Sequence, residues 1–234
     1  MSDRLDIKRQ AFRKTSLFSS LNEQELDRLA EMAKLLALPP GATLFMKGDP
    51  GDRLFIVIKG VVRISTVSME GRETTLNLIG AGQMLGEIAV LDGGDRTADA
   101  TILDATELLA IEKRDLLAFL EQNPRCCIRM LAACADRLRW VSGLLEDANF
   151  LELPARLAKR LLLLARTFGR PVTDGIRIDL RLSQQDLATH MNVTRESVNK
   201  LIHSWQMEGL VQTGRGWVVV RDEDALEDLA EIES

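Results

Sequence analysis

Histidine occurs only twice in the 234 residues, at His190 and His203, so a haem, zinc or catalytic-histidine site in the first 180 residues would have to work without imidazole. Cysteine is almost as scarce. Cys126, Cys127 and Cys134 are an odd number with no C-x-x-C spacing, which excludes the usual zinc and iron–sulfur frameworks and leaves them as small helix residues. No apolar run approaches the ~18 residues of a membrane span. The stretch from Met1 to Lys14 is charged throughout and lacks the apolar segment of a signal peptide, so the expected location is the cytoplasm, away from membranes. No nucleophile–base pair, metal motif or Walker loop is present, so no catalytic residue and no metal ligand is expected and an enzyme is disfavoured.

Hydrophobic residues make up 46% of the chain and charged residues 28%, a balance that supports a packed core and argues against wholesale disorder. The length fits one large domain or two small ones. The net charge of −5 hides an asymmetry: Pro154 to Arg221 holds eleven Lys+Arg against five Asp+Glu, while Asp222 to Ser234 holds seven acids and no base. A basic block followed by an acidic tail suggests a polyanion-binding module, although a charge run can also be no more than a solvated face.

The spacing predicts a helix from the capping-box pattern Ser20-Leu21-Asn22-Glu23 through Leu26, Leu29, Met32, Ala33 and Leu36, stopped by Pro39-Pro40-Gly41. The period then shortens. Thr43–Met46, Leu54–Ile58, Val61–Ile64 and Thr74–Leu78 are β-rich runs separated by Lys47–Asp52, Lys59-Gly60 and Glu70-Gly71, strong turn signals that indicate an antiparallel roll or barrel. Glu107–Ile111 reads as a last strand and Lys113–Glu121 as a short helix.

Asn123-Pro124 supplies an N-cap with proline at the first helical position, opening a long helix to about Asn149. Along it Ile128, Leu131, Ala135, Leu138, Ser142 and Leu145 step by three and four residues, an a/d seam that favours a parallel helix pair and hence a homodimer. Ser142 is either a register-setting polar residue or a ligand contact made across the pair. Glu152-Leu153-Pro154 ends this helix, Ala155–Phe168 forms another, and Arg177–Leu180 alternates as a strand would.

Leu182 to Gly209 has the layout of a helix-turn-helix. Ser183 caps a first helix with Leu187, Ala188 and Met191 on its apolar face, Asn192-Val193 turns the chain, and Thr194 caps a second helix with Val198, Leu201, Ile202 and Trp205 inward. Arg195, Glu196, Asn199 and Lys200 are left outward: cationic donors, an acceptor and an amide, the side chains that read base edges in the major groove of double-stranded DNA. Leu210-Val211 and Trp217–Val220 around Gly214-Arg215-Gly216 make a hairpin wing beside it. A helical hairpin with a merely charged face is the competing reading.

A second signal is Gly86-Glu87-Ile88-Ala89-Val90-Leu91 followed by Arg96-Thr97-Ala98. Glycine lets backbone N–H groups approach an anion, Arg96 supplies a fixed cationic fork, Thr97 adds a hydroxyl, and the Glu87 carboxylate, which repels phosphate, suits a ribose 2′-hydroxyl. The residues alone leave open a surface turn closed by an internal salt bridge.

That string closely resembles the phosphate-binding cassette of cyclic-nucleotide-binding domains. With the long helix and Leu182–Lys200, the chain from about Thr15 to Arg221 resembles a bacterial regulator of the CRP/FNR family, of the cyclic-AMP-receptor-like branch. The resemblance implies an α+β chain: a cyclic-nucleotide-binding β-roll over 1–122, a dimerisation helix and hinge over 123–152, and a winged helix-turn-helix over 153–234. It implies that Glu87 takes the ribose 2′-hydroxyl, that Arg96 and Thr97 with the Gly86 and Ile88 backbone take the cyclic phosphate, and that Arg137 backs the pocket. Ser142 matches the position that reaches the base, partly in the other subunit. Arg195, Glu196 and Lys200 fall where the family contacts bases, with Ser183, Gln184 and Thr194 on phosphates. RNA polymerase is an implied partner.

Five departures matter. Val141 replaces a family hydroxyl and can make no such hydrogen bond, which argues against strict adenine selectivity. Thr97 resembles the cassette of cyclic-GMP-binding relatives, so the expected ligand is cyclic AMP with cyclic GMP as a second candidate. Asp95 places an acid beside the phosphate, at a cost unless it points away or pairs with Arg96. Lys200 replaces an arginine and cannot grip guanine with a planar fork, while Asn199 adds an amide able to read adenine, so the operator should be a related but altered palindrome. The alternative is a regulator of the same family that binds DNA without a cyclic nucleotide or senses another small molecule.

Overall fold

Asn22 accepts a hydrogen bond from the Glu25 backbone N–H while the Glu25 carboxylate accepts from the Asn22 N–H, so the capping box begins two residues later than the sequence pattern suggested. In the computed structural model, which describes residues 2–71, 73–180, 184–191 and 193–231, the helix it opens, α2 (Glu23–Met32), follows a charged helix α1 (Ser2–Lys14). Lys8 of α1 donates to the carbonyls of Ala30 and Ala33, satisfying acceptors at the α2 C-terminus, where a cation is favoured.

The expected continuation of that helix through Leu36 does not occur. Lys34–Leu38 is strand β1, because its backbone groups complete an antiparallel ladder with Thr106–Glu112 (β8), in which Lys34 faces Ala110 and Leu38 faces Thr106. Between them lie β2 (Thr43–Phe45), β3 (Arg53–Lys59), β4 (Val62–Val67), β5 (Glu73–Ile79), β6 (Met84–Leu85), the short helix α3 (Glu87–Asp92) and β7 (Asp99–Ile102). They form two four-stranded sheets, ordered β1-β8-β3-β6 and β2-β7-β4-β5. The turn at Gly60 requires glycine: φ is +92°, and a Cβ there would meet the Ala105 carbonyl oxygen at 2.5 Å.

Two apolar clusters hold these elements. One lies within the roll and contains Phe55, Val57, Val62, Ile64, Leu85, Ala100, Ile102 and Leu108. The other seats α1, α2, α4 (Lys113–Gln122) and the start of α5 (Pro124–Phe150) on the sheet through Phe12, Phe18, Leu29, Ile56, Phe119 and Met130. Phe18 packs edge-on against both Phe12 and Phe119.

The described residues divide into two compact units, Met1–Thr66 with Leu76–Leu138, and Val67–Thr75 with Arg139–Ser234. In the second, α6 (Leu153–Phe168) packs on a sheet ordered β11-β12-β10-β9, built from β9 (Gly169–Val172), β10 (Gly175–Ile178), β11 (Val211–Gly214) and β12 (Trp217–Val220). Helices α7 (Gln184–His190) and α8 (Arg195–Met207) pack together and bury Leu187, Ala188, Met191, Val198, Ile202 and Trp205. The acidic run after Arg221 is not a loose tail. It contains α9 (Glu223–Glu231), which packs on α6 with Leu226 and Ala230 buried, and Glu223 and Glu227 pair with Arg166.

Candidate functional site

Gly86 ends β6 with φ at +83° and caps α3, turning the chain so that Glu87 stands at the first helical position. Glu87, only 7% exposed, lines a cavity in the roll together with Phe45, Ile64, Gly86, Ile88, Arg96, Thr97 and Arg137. The enclosed space is small, about 40 Å³, and it opens to solvent. The structure thus brings Gly86, Glu87, Ile88, Arg96, Thr97 and Arg137 to one place. Thr97 and Ile88 are exposed there and Arg137 is half-buried.

Arg96 is the buried cation of the cavity lining. It is 4% exposed, and its Nη1 donates to the Gly86 carbonyl at 2.9 Å and its Nη2 to the Arg53 carbonyl at 2.8 Å. The Asp52 carboxylate lies 3.6 Å from Nη2. The guanidinium sits over the Phe45 ring, 4.4 Å from its centroid. Its Nε is buried and has no hydrogen-bond partner. Burial pulls the arginine below its ordinary pKa, and Asp52, Asp49 and Glu87 act in the opposite direction. Asp95 is exposed and bridges by its backbone to Pro50, and it is not among the carboxylates acting on Arg96.

A buried guanidinium with an unsatisfied N–H, beside a buried carboxylate, is the complement of a molecule that carries one negative charge and a hydroxyl donor. The orphaned Nε and the Glu87 carboxylate therefore suit a ligand of the cyclic-nucleotide kind. Phe45, Asp52 and the Arg53 carbonyl were not anticipated as parts of this site. The run Lys47–Asp52 reads as a turn, and nothing local marks it as a strap around Arg96. Gly48 N–H donates to the Arg96 carbonyl at 2.9 Å and Arg96 N–H to the Asp49 carbonyl at 2.8 Å, which makes it one.

On α5, Ile128, Leu131, Leu138 and Leu145 are 61% to 70% exposed although all are large and apolar. Ser142 and Val141 are also exposed on this helix. Cys126 and Met130 face inward instead. A repeated apolar stripe left open to water marks a surface that takes a partner.

Thr194 caps α8, its hydroxyl oxygen accepting from the Ser197 N–H at 3.2 Å. Arg195, Glu196 and Lys200 are exposed, and Asn199 is half-buried with its Oδ1 lacking a hydrogen-bond partner. Thr194, Arg195, Glu196 and Asn199 line one concavity. Ser183 lies outside the described residues. Gln184 begins α7, but its side chain is likewise outside them. The wing hairpin forms as expected, and its sheet is braced by Arg177, which stacks on the Trp217 ring at 4.4 Å and pairs with Asp179. Among the described residues there is no cluster able to hold a metal ion and no helix long and apolar enough to cross a membrane.

Two family models match the chain: a cyclic nucleotide-binding domain over residues 35–123 and a Crp-like helix-turn-helix domain over residues 155–229. A CRP-like cAMP-activated global transcriptional regulator of Mycobacterium tuberculosis is 30% identical over 213 residues, covering 91% of this chain and 95% of the relative. The cyclic AMP receptor protein of Thermus thermophilus is 34% identical over 214 residues, 92% of this chain and 96% of the relative. The solved structure of FixK2 from Bradyrhizobium japonicum superposes with a TM-score of 0.76 over 84% of this chain and 96% of that one. At 18% identity this is a likeness of fold.

Proposed function

The chain is a member of the CRP/FNR family of transcription regulators, and we propose that it is a homodimer whose operator binding is switched by cyclic AMP, with cyclic GMP as a second ligand. The observation that carries this reading is the buried, unpartnered Nε of Arg96 in the same cavity as the Glu87 carboxylate. Arg96 and Thr97, with the backbone of Gly86 and Ile88, take the cyclic phosphate. Glu87 takes the ribose hydroxyl, Arg137 closes the pocket from α5, and Ser142 reaches the base, partly in the other subunit. Val141 offers no hydrogen bond and leaves the base choice relaxed. The nucleotide is an effector and is not turned over.

Residues 1–122 bind it, 123–152 pair the two chains along the exposed α5 seam, and 153–234 read DNA. Arg195, Glu196, Asn199 and Lys200 take base edges, and Ser183, Gln184 and Thr194 hold phosphates. A dimer presents two such helices to half-sites about 34 Å apart on a palindrome. The ligand shifts this equilibrium only to the extent that it binds the DNA-competent arrangement more tightly than the other. The regulator works in the cytoplasm, with RNA polymerase as its protein partner.

Calorimetry with cyclic AMP and cyclic GMP, joined to an operator gel shift, tests the proposal. Wild-type protein is expected to bind nucleotide and to shift operator in its presence, and Arg96→Ala to do neither. Operator binding of equal strength with and without both nucleotides would overturn it.

A further inference from the structure

We propose that Phe45 is a positioning residue for the phosphate contact: its ring face holds the plane of the Arg96 guanidinium so that the free Nε–H is presented to the ligand. This rests on the cyclic-nucleotide reading above and adds to it a side chain that touches the arginine. Arg96 is held along one edge by the carbonyls of Gly86 and Arg53, with the Asp52 carboxylate 3.6 Å from Nη2 at the same edge. Two hydrogen bonds to one edge leave the plane free to rock about that edge. The ring centroid of Phe45, 4.4 Å from the guanidinium carbon, removes that freedom, and Phe55 at 5.7 Å backs it. The two rings stack with centroids 6.0 Å apart and planes 27° from parallel, so they act as one platform. An aromatic face is also the one apolar surface that attracts a cation, which matters for a guanidinium this far from water.

The backbone places the ring deliberately. The β2–β7 ladder shifts register between Thr43 and Phe45, an irregularity of the kind that re-aims a side chain next to a site. Immediately after Phe45 the chain enters the strap whose Gly48 and Asp49 bond the Arg96 backbone, so ring and guanidinium are fixed to the same short segment. A leucine at this position would fill most of the space and keep the wall apolar, but it would present no π face.

Calorimetry on wild type, Phe45→Leu and Phe45→Trp tests this with two probes: cyclic AMP, and its neutral phosphate methyl ester, which keeps base and ribose but carries no charge. Phe45→Leu is expected to weaken cyclic AMP by about 5- to 10-fold, the cost of ordering on binding a guanidinium that the ring no longer holds in place. It should leave the neutral ester within about twofold, and Phe45→Trp should restore cyclic AMP to within about threefold. Equal weakening of both probes would make Phe45 a purely structural wall and overturn the proposal, as would unchanged cyclic AMP affinity. Failure of wild type to bind cyclic AMP would instead sink the nucleotide reading on which the proposal stands. If the leucine variant does not fold, proton NMR of wild type decides. The Arg96 Nε–H should be shifted upfield by the Phe45 ring and move downfield on nucleotide addition with its contact to the ring retained; loss of that contact on binding would overturn the assignment.

Discussion

Arg96 and Gly86 are matched to each other: the arginine's Nη1 donates to the glycine's carbonyl at 2.9 Å, and a Cβ on residue 86 would stand 2.5 Å from that same nitrogen. Residue 86 also has φ at +83°, which costs a side-chain-bearing residue about 1–2 kcal/mol. Gly86→Ala therefore does two things, straining the turn and pushing the guanidinium out of its seat. The expected outcome is a loss of at least about tenfold in cyclic-nucleotide affinity by calorimetry, with a thermal midpoint only a few degrees lower. Unchanged affinity would show that the guanidinium does not depend on this seat.

The α5 seam carries a second prediction. Leu131 lies in the middle of the exposed apolar stripe and in no buried cluster, so Leu131→Glu should leave the fold of the chain intact while, in the proposed dimer, placing a carboxylate opposite its own copy. Wild type is expected to sediment as a dimer and Leu131→Glu as a monomer with the same circular dichroism. The monomer should lose operator binding almost completely, because one helix-turn-helix reads only a half-site. A Leu131→Glu protein that remains dimeric would place the partner surface elsewhere.

What the sequence made legible is what local chemistry decides. Leu54–Ile58 and Glu107–Ile111 sit inside β3 and β8, and the Thr194 cap and the wing around Gly214-Arg215-Gly216 lie where their turn residues put them. Gly86, Glu87, Arg96 and Thr97 were legible as a group because they form one short string. Lys34–Leu38 was not, because Leu36 continues the helical spacing of Leu26 and Leu29 and becomes strand only through pairing with β8, some seventy residues on. Helix α9 carries no clear signal because five of its nine residues are acids and, among the described residues after Arg221, only Leu226 and Ala230 are buried. Phe45 and the Arg53 carbonyl join the site through contacts to Arg96 that span dozens of residues, 43 in the case of Arg53. No local pattern encodes such a contact.

Arg160 gives the last prediction, one about stability. It lies on α6, is 7% exposed, and its Nε is buried without a hydrogen-bond partner. Burial alone lowers its pKa from the ordinary arginine range to about 10, with no ionised neighbour acting against the shift. At about 1.4 kcal/mol per pH unit, that is a cost on the order of 3 kcal/mol for carrying the charge in the folded state. The sign follows from proton counts. From about pH 10 up to the ordinary arginine range the unfolded chain holds more of this proton than the folded one, so the penalty is complete at neutral pH and fades only as pH rises through that window. Arg160→Met keeps the flexible, unbranched stem of the side chain and removes the charge, and exchange of a buried ion for an apolar residue of similar volume is commonly neutral or stabilising. Urea denaturation at pH 7 should show Arg160→Met more stable than wild type by about 1–3 kcal/mol, with the m-value unchanged. A less stable variant would mean that the outer nitrogens of Arg160 hold an acceptor worth more than the cost of burying the charge.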